Sequence, residues 1–366
     1  MDIRVAKKDL AKELHLVQGI VERKTSIPVL SNVLVEAEGG ELRLAATDLD
    51  VSLRGGCPAS VDKPGAVTLA AKKLHEIVRT LPEADVHVKG LADNWVSLEC
   101  ERARFKMAGL PREDFPSLPE AAAGGVELPG EAIRELIHRT GFAITAEEAR
   151  YYLAGALLVL EGASVALVAT DGHRLAYASR KLESAPGSGQ RVLIPKKAVA
   201  ELGRLLEDGG SVRFQQQDNH LMFAVGDRVL SSKTIEGQFP AFEKVIAATG
   251  DKAVTLERDS LLTAVRRVSL LSSERSRAIR LALRSGTLEL SASSPDLGEA
   301  RESLAVDYSG EDVEIGFNAQ YVLDFLGAVG GDRVTLELKD AESQGVFRPA
   351  ADAGTEYRYV VMPMRL

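Results

Sequence analysis

A threefold self-similarity with a period of 123–124 residues limits how this chain can fold more than any other feature. Three apolar-rich segments, residues 42–47, 165–170 and 288–293, are each entered through a Gly or Ser turn and closed by a hydroxyl residue. Their last residues, Thr47, Thr170 and Ser293, stand 123 residues apart. Phe115-Pro116 returns as Phe239-Pro240, and Lys72-Lys73 returns as Lys196-Lys197, both after 124 residues. In the third copy Asn318 starts the helix that corresponds to those lysine-led helices. Independent landmarks on one period mean that one supersecondary unit is used three times.

Each copy has the same internal order. Leu10, Leu14, Val17 and Val21 recur at helical spacing and predict a first amphipathic helix, matched by 131–142 and 260–271. Strands rich in Val, Leu and Ala follow, punctuated by Gly-Gly, Asp-Asn and Pro-Gly. A second helix over 72–81 stops at Pro82, and alternating strands around Val86, Val88, 95–98 and 104–108 close the unit. Helix, strands, helix, strands is an α+β plan with antiparallel sheets. Small or polar stretches at 120–125 and 247–251 read as linkers, so the expected domains are 1–122, 123–248 and 249–366.

The net charge of −8 over 366 residues weighs against a nucleic-acid partner. Distribution matters more than the sum, because one face can be basic while the rest is acidic. Residues 258–280 hold Arg258, Arg266, Arg267, Arg275, Arg277 and Arg280 against only Asp259 and Glu274. No apolar run reaches the ~18 residues of a membrane span, and no signal pattern opens the chain. Cys57 and Cys100 lie in strand-like segments. They are compatible with pairing, but buried free thiols in a reducing compartment are the expectation. A cytoplasmic protein follows.

Enzymatic readings find little to stand on. There is no G-x-x-x-x-G-K-[ST] phosphate loop, and Asp48 with Asp50 is the only close acidic pair of metal-binding look. Thr170, Asp171 and His173 resemble parts of a catalytic set. No second His or Cys stands at ligand spacing, and copy one has Leu49-Asp50 at the equivalent place. No catalytic residue, metal or cofactor is expected.

Several segments, in order along the whole chain, resemble the bacterial DNA polymerase III beta subunit, the sliding clamp. They are Ile27-Pro28-Val29-Leu30-Ser31-Asn32, Arg150-Tyr151-Tyr152-Leu153-Ala154-Gly155, Thr170-Asp171-Gly172-His173-Arg174-Leu175, Phe239-Pro240 and the terminal 359–366. The resemblance implies three tandem clamp-fold domains, two helices on antiparallel sheets each, closing as a six-domain ring in a homodimer around duplex DNA. Its implied partners are a clamp loader and the replicative and other DNA polymerases. Mismatch-repair and ligase-type proteins would join them, docking through short peptides. Candidate DNA-facing residues are Arg23, Lys24, Lys72, Lys73, Arg79, Lys196, Lys197, Arg204, Arg266 and Arg267, with Tyr151 and Tyr152 added by the resemblance. The implied peptide pocket comprises Tyr152, Leu153, Thr170, Gly172, His173, Arg174, Leu175, Pro240, Lys244, Val245, Val360, Met362, Pro363, Met364 and Arg365. Lys244 stands where the family often has Arg, which removes a bidentate or stacking contact. Two methionines flanking a proline form an adaptable apolar surface, in keeping with docking. Phe105 and Met107 are expected to meet Leu270 and Leu271 at the ring seam, with Arg102 and Arg104 facing Glu299 and Glu302. The alternative is a clamp-derived peptide-binding scaffold without a replicative role.

Overall fold

A computed structural model describes residues 1–22, 25–120, 124–183, 189–351 and 354–365. In the first copy β1 (Asp2–Ala6) leads into α1 (Lys7–Val17). Five strands follow, β2 (Asn32–Glu38), β3 (Glu41–Thr47), β4 (Val51–Pro58), β5 (Ser60–Lys63) and β6 (Gly65–Ala70). Then come α2 (Ala71–Thr80), β7 (Asp85–Gly90), β8 (Trp95–Cys100) and β9 (Ala103–Leu110). The second copy runs β10 (Val126–Pro129), α3 (Gly130–Thr140), β11 (Gly155–Glu161), β12 (Ser164–Thr170), β13 (Arg174–Lys181) and β14 (Gln190–Pro195). It continues with α4 (Lys196–Leu205), β15 (Ser211–Gln217), β16 (His220–Val225), β17 (Arg228–Lys233) and α5 (Glu243–Ala247). The third runs β18 (Lys252–Glu257), α6 (Arg258–Ser269), β19 (Ala278–Arg284), β20 (Thr287–Ser294), β21 (Gly298–Ala305) and β22 (Val313–Asn318). It ends with α7 (Ala319–Ala328), β23 (Arg333–Leu338), β24 (Gly345–Pro349) and β25 (Thr355–Val361). The short strand before each first helix and the small helix α5 carry no periodic signal of their own.

The chain divides into two compact units, Met1–Arg134 with Lys197–Thr234, and Glu135–Lys196 with Ile235–Leu366. The middle copy is shared between them, and strand pairing explains why. In the first unit one thirteen-stranded sheet has the order β10-β15-β16-β17-β4-β3-β2-β6-β9-β8-β7-β1-β5. The middle copy's β17 pairs with β4 of the first copy, Val229 opposite Arg54 through Ser232 opposite Val51. The Ser52 and Ser231 hydroxyls meet at 2.5 Å beside this joint. In the second unit an eight-stranded sheet runs β14-β11-β12-β13-β25-β24-β23-β18, and a four-stranded sheet runs β21-β20-β19-β22. Here the middle copy's β13 pairs with β25 of the third, from Arg174 opposite Val361 to Arg180 opposite Thr355.

Among the described residues several strands have an edge left largely unpaired, β9 and β21 among them. β9 pairs with β8 along its length but meets β6 only at Leu110 and Gly109. β21 is the last strand of the four-stranded sheet and pairs with β20 alone.

The core in each unit follows the helical periodicity. Leu10, Leu14 and Val17 of α1 are buried, and α1 packs on α2, β3 and β4. In the second unit Leu261, Ala264, Val265 and Val268 of α6 are buried as α6 packs on α7. Asn318 caps α7 by accepting from Gln320 N at 2.9 Å. Beneath α7 the Phe325 ring stacks on Tyr359 at 5.4 Å, with Phe347 and Tyr357 alongside. Burying such side chains contributes about 1.5–3 kcal/mol each. Cys57 and Cys100 are both free and buried. Burial, with Glu13 and Asp9 nearby, pushes the Cys57 thiol up to about 12, so it stays protonated.

Candidate functional site

In the second unit, residues 170–174 close a turn between β12 and β13. Thr170 Oγ1 donates to the Arg174 carbonyl at 2.5 Å and accepts from Gly172 N at 3.1 Å. Asp171 Oδ1 accepts the N–H groups of His173 and Arg174 at 2.9 and 3.0 Å. Gly172 has φ +88°, and a Cβ there would stand 2.5 Å from Arg150 Nη1. That guanidinium donates to the Asp171 carbonyl at 2.6 Å. Both backbone angle and space therefore ask for glycine. With its hydroxyl and carboxylate committed in this way, the Thr170-Asp171 pair holds structure and has no chemistry to spare. Among the described residues no group of three His, Cys, Asp or Glu is placed to hold a metal.

Arg174 is held from several sides. Its side chain is only 10% exposed. It donates to Asp171 Oδ2 at 3.0 Å, Asp324 Oδ2 at 2.5 Å and the Phe142 carbonyl at 2.8 Å. Its plane lies 4.3 Å over the Tyr321 ring. Burial works against its charge, but Tyr359, Asp324 and Asp171 outweigh that and raise its pKa. It ties the turn to α7 and β25 and sets the floor of the site. Asp324 and Tyr321, which carry no signal in the sequence, are its anchors.

On that floor Leu175 and Val360 sit opposite each other across β13 and β25, both buried. They belong to a cluster with Leu193, Phe242 and Val346, against which Phe239, Val245 and Ile246 pack while partly exposed. Gln344 donates to the Val245 carbonyl at 3.1 Å, which brings the 344–345 stretch to this rim. Leu153 is buried, Tyr152 is half-buried against Gly237, and Tyr151 is 62% exposed and edge-on to Tyr152. Pro240 and Lys244 are exposed at the edge. The terminal segment is tethered twice, Met362 N to the His173 carbonyl at 2.9 Å and Met364 N to the Gly316 carbonyl at 2.8 Å. Met362 stays 45% exposed. A cavity of about 770 Å³ lies along Met362, Pro363, Met364 and Arg365, with Arg280 and Glu314 on its far wall.

The basic candidates divide by partner. In the first unit Lys72 is half-buried and Arg79 exposed on α2, while Lys73 pairs with Glu76 at 2.5 Å. Lys197 donates to the Ile20 carbonyl at 2.5 Å and pairs with Asp48; Arg204 pairs with Glu201 at 2.8 Å. In the second unit Lys196 donates to the Ile144 carbonyl at 3.2 Å, Arg266 is exposed on α6, and Arg267 pairs with Glu302. Arg23 and Lys24 lie outside the described residues. The arginine run is less one-sided than its sequence: Asp259 holds Arg258 at 2.8 Å and Glu314 holds Arg280 at 2.9 Å.

Phe105 is half-buried and Met107 buried on β9, Leu271 is half-buried, and Leu270 is 76% exposed just past α6. Glu302 pairs with Arg267 of its own chain.

Comparison with known proteins matches the three copies one by one. Family profiles of the DNA polymerase III beta subunit match as its N-terminal domain at residues 1–119, its central domain at 127–241 and its C-terminal domain at 243–365. The chain is 38% identical to the beta sliding clamp of Pseudomonas aeruginosa and 36% identical to that of Escherichia coli, over 100% of both chains in each case. Among solved structures it resembles the P. aeruginosa DNA polymerase III subunit beta at TM-score 0.91 and 38% identity. It also resembles a Bartonella birtlesii sliding clamp bound to griselimycin at TM-score 0.93 and 36% identity, again over 100% of both chains.

Proposed function

Because this chain belongs to the DNA polymerase III beta subunit family, the beta sliding clamps, we propose that two copies close head to tail into a ring of six repeats around duplex DNA. The protein is a DNA sliding clamp, a processivity factor of replication and not an enzyme. What it adds to a polymerase is residence. Phosphate contacts alone give a Kd of about 10⁻⁴ to 10⁻⁶ M at physiological salt. With association near ~10⁸ M⁻¹s⁻¹, such a complex would dissociate at ~10² to 10⁴ s⁻¹. Encirclement removes that limit, since the ring must open before it leaves, and weak inner contacts still permit sliding.

One observation carries the ring. β9, β17 and β25 occupy the same place in successive copies, and so do β4, β13 and β21. Within the chain β17 pairs with β4 and β25 with β13, while among the described residues β9 and β21 lack the equivalent partner. A second copy supplies the missing partner at each, and an open strand edge is a ready template for another chain. Phe105, Met107, Leu270 and Leu271 would cover that seam. The inner surface would carry Lys72, Arg79, Lys196 and Arg266 to the phosphates, with Arg23 and Lys24 completing the set.

The groove along Leu175, Val360, Val245 and Met362 to Met364 docks short partner peptides of polymerases, a clamp loader, and repair and ligase-type proteins. Each buried Leu or Phe of such a peptide would contribute roughly 1.5–3 kcal/mol. No helix among the described residues is long and apolar enough to cross a membrane, and the place of action is the cytoplasm, at the nucleoid.

Small-angle X-ray scattering calibrated for absolute mass tests the ring. Twice the 39.3 kDa chain mass with a hollow pair-distance curve is expected, followed by retention on circular DNA and loss on linearised DNA. A protein that stays monomeric as its concentration rises would sink the ring and leave a peptide-binding scaffold.

A further inference from the structure

Next to the methionine-lined cavity lies a second concavity of about 390 Å³, lined by Arg280, Arg301 and Arg365 together with Ser276, Ser291 and Ser293. Strand register builds it. On the four-stranded sheet Arg280 of β19 stands opposite Ser291 of β20, and Ser291 stands opposite Arg301 of β21. Two arginines therefore flank one serine on the outward face, with adjacent strands about 4.8 Å apart. Arg365 comes to the same place because the Met364–Gly316 hydrogen bond lays the terminal segment beside β22, at the residue opposite Arg280.

The charge balance favours an anion. Within this concavity three guanidiniums face one carboxylate, Glu299, on Arg301 at 3.7 Å, while Glu314 reaches Arg280 at 2.9 Å from outside it. Both pairs are about half exposed or more, so they are weak and can be exchanged. Among the described residues Arg365 has no ion-pair partner. The guanidinium fork matches a carboxylate better than any other side chain does, and three serine hydroxyls add donors. The two concavities share Arg280 and Arg365, so an extended peptide lying along Met362 to Met364 can continue onto this one. A polyphosphate backbone fits less well, because Glu299, Glu314 and Glu342 also line the two concavities.

We propose that Arg280, Arg301 and Arg365 form an anion subsite that extends the peptide groove and takes an Asp or Glu side chain flanking a partner's apolar anchor. This rests on reading the Met362–Met364 cavity as the docking groove. Fluorescence anisotropy on the full-length clamp would use three C-terminally amidated peptides. One carries a Leu-Phe pair in neutral flanks, and the others carry Asp-Asp on the N-terminal or the C-terminal side of the pair. At low salt one acidic peptide should bind about fivefold tighter than the neutral one. The gain should vanish in roughly 0.5 M salt and in Arg301→Gln, which leaves neutral-peptide affinity unchanged because Arg301 does not line the apolar cavity. Equal affinity of all three peptides would overturn the subsite. So would a gain that survives Arg280→Gln with Arg301→Gln, or variants that weaken duplex DNA binding and spare the acidic peptide. Failure of the neutral peptide to bind would instead remove the groove itself, and the subsite with it.

Discussion

The turn at residues 47–51 in the first copy and the turn at 170–174 in the second close the same hydrogen bonds. Thr47 Oγ1 donates to the Val51 carbonyl and accepts from Leu49 N, as Thr170 does with Arg174 and Gly172. Asp48 Oδ1 accepts from Asp50 N and Val51 N, as Asp171 does from His173 N and Arg174 N. Even the strained angle recurs, φ +80° at Leu49 and +88° at Gly172. The third copy lacks the Thr-Asp pair and closes by a plain Leu297 N to Ser294 carbonyl bond. Two side chains dictate the backbone, and the remaining three positions decide its use. In the first copy Leu49 is exposed, as is Ile27, and the spare oxygen of Asp48 holds Lys197. In the second, glycine makes room for Arg150, and the fifth residue is the buried Arg174. One loop fastens a helix, while the other shapes the floor of the proposed docking groove.

Giving the second turn the first turn's fifth residue should have the largest effect. Arg174→Val leaves Asp171 and Asp324 facing each other without their cation. A loss of about 3–5 kcal/mol in urea unfolding is expected, as for other broken buried pairs. Asp48→Ala strips Lys197 and two backbone N–H groups of their acceptor, and about 2–3 kcal/mol should follow. Asp171→Ala should cost less, because Arg174 keeps Asp324 and the Phe142 carbonyl; the reverse order would break the comparison.

Exchanging the third residue is the next step down. Gly172→Leu forces a side chain into the left-handed region and against Arg150, for about 1–2 kcal/mol. It should also weaken binding of a Leu-Phe peptide in an anisotropy titration. Leu49→Gly should stay within about 0.5 kcal/mol, since strain relief and added unfolded-state freedom offset each other.

The smallest effect concerns the helices that open with the lysine pairs. His75 on α2 takes the place that Val199 holds on α4. Burial lowers the His75 imidazole below its ordinary value, and His15, with its ring 5.7 Å away, adds to this. The unfolded chain therefore takes up the proton first, and stability falls as pH drops below about 6.5 until the folded form protonates too. Urea midpoints from pH ~7.5 to ~5.5 should show a shallower slope in His75→Val. An unchanged slope would place the proton uptake elsewhere.

Much of this was legible in the residues themselves. The 123–124 period named the copies, and spacing placed the helices to within two residues at most ends, with Asn318 found at the start of α7 as expected. Leu14 and Val17 announced a buried face because burial repeats every third or fourth residue. The strand joints were not legible. β4 and β17 pair across some 180 residues of sequence, and alternation along a strand names its faces but not its neighbour. For the same reason the sequence named Arg174 without naming its partners Asp324 and Phe142, which lie far along the chain. Nor does a run of arginines reveal which of them an acid from another strand will occupy, as Glu302 does for Arg267.

The joints also bear on how such a ring would yield under load. The β17–β4 joint has four opposed residue pairs and a serine contact, and the β13–β25 joint has seven. Both lie inside one covalent chain, so pulling on either meets several hydrogen bonds that must fail together. A seam between β9 and β21 of two chains has no covalent backup. Tension on the proposed ring would therefore concentrate at two weak links, and opening either one of them would suffice.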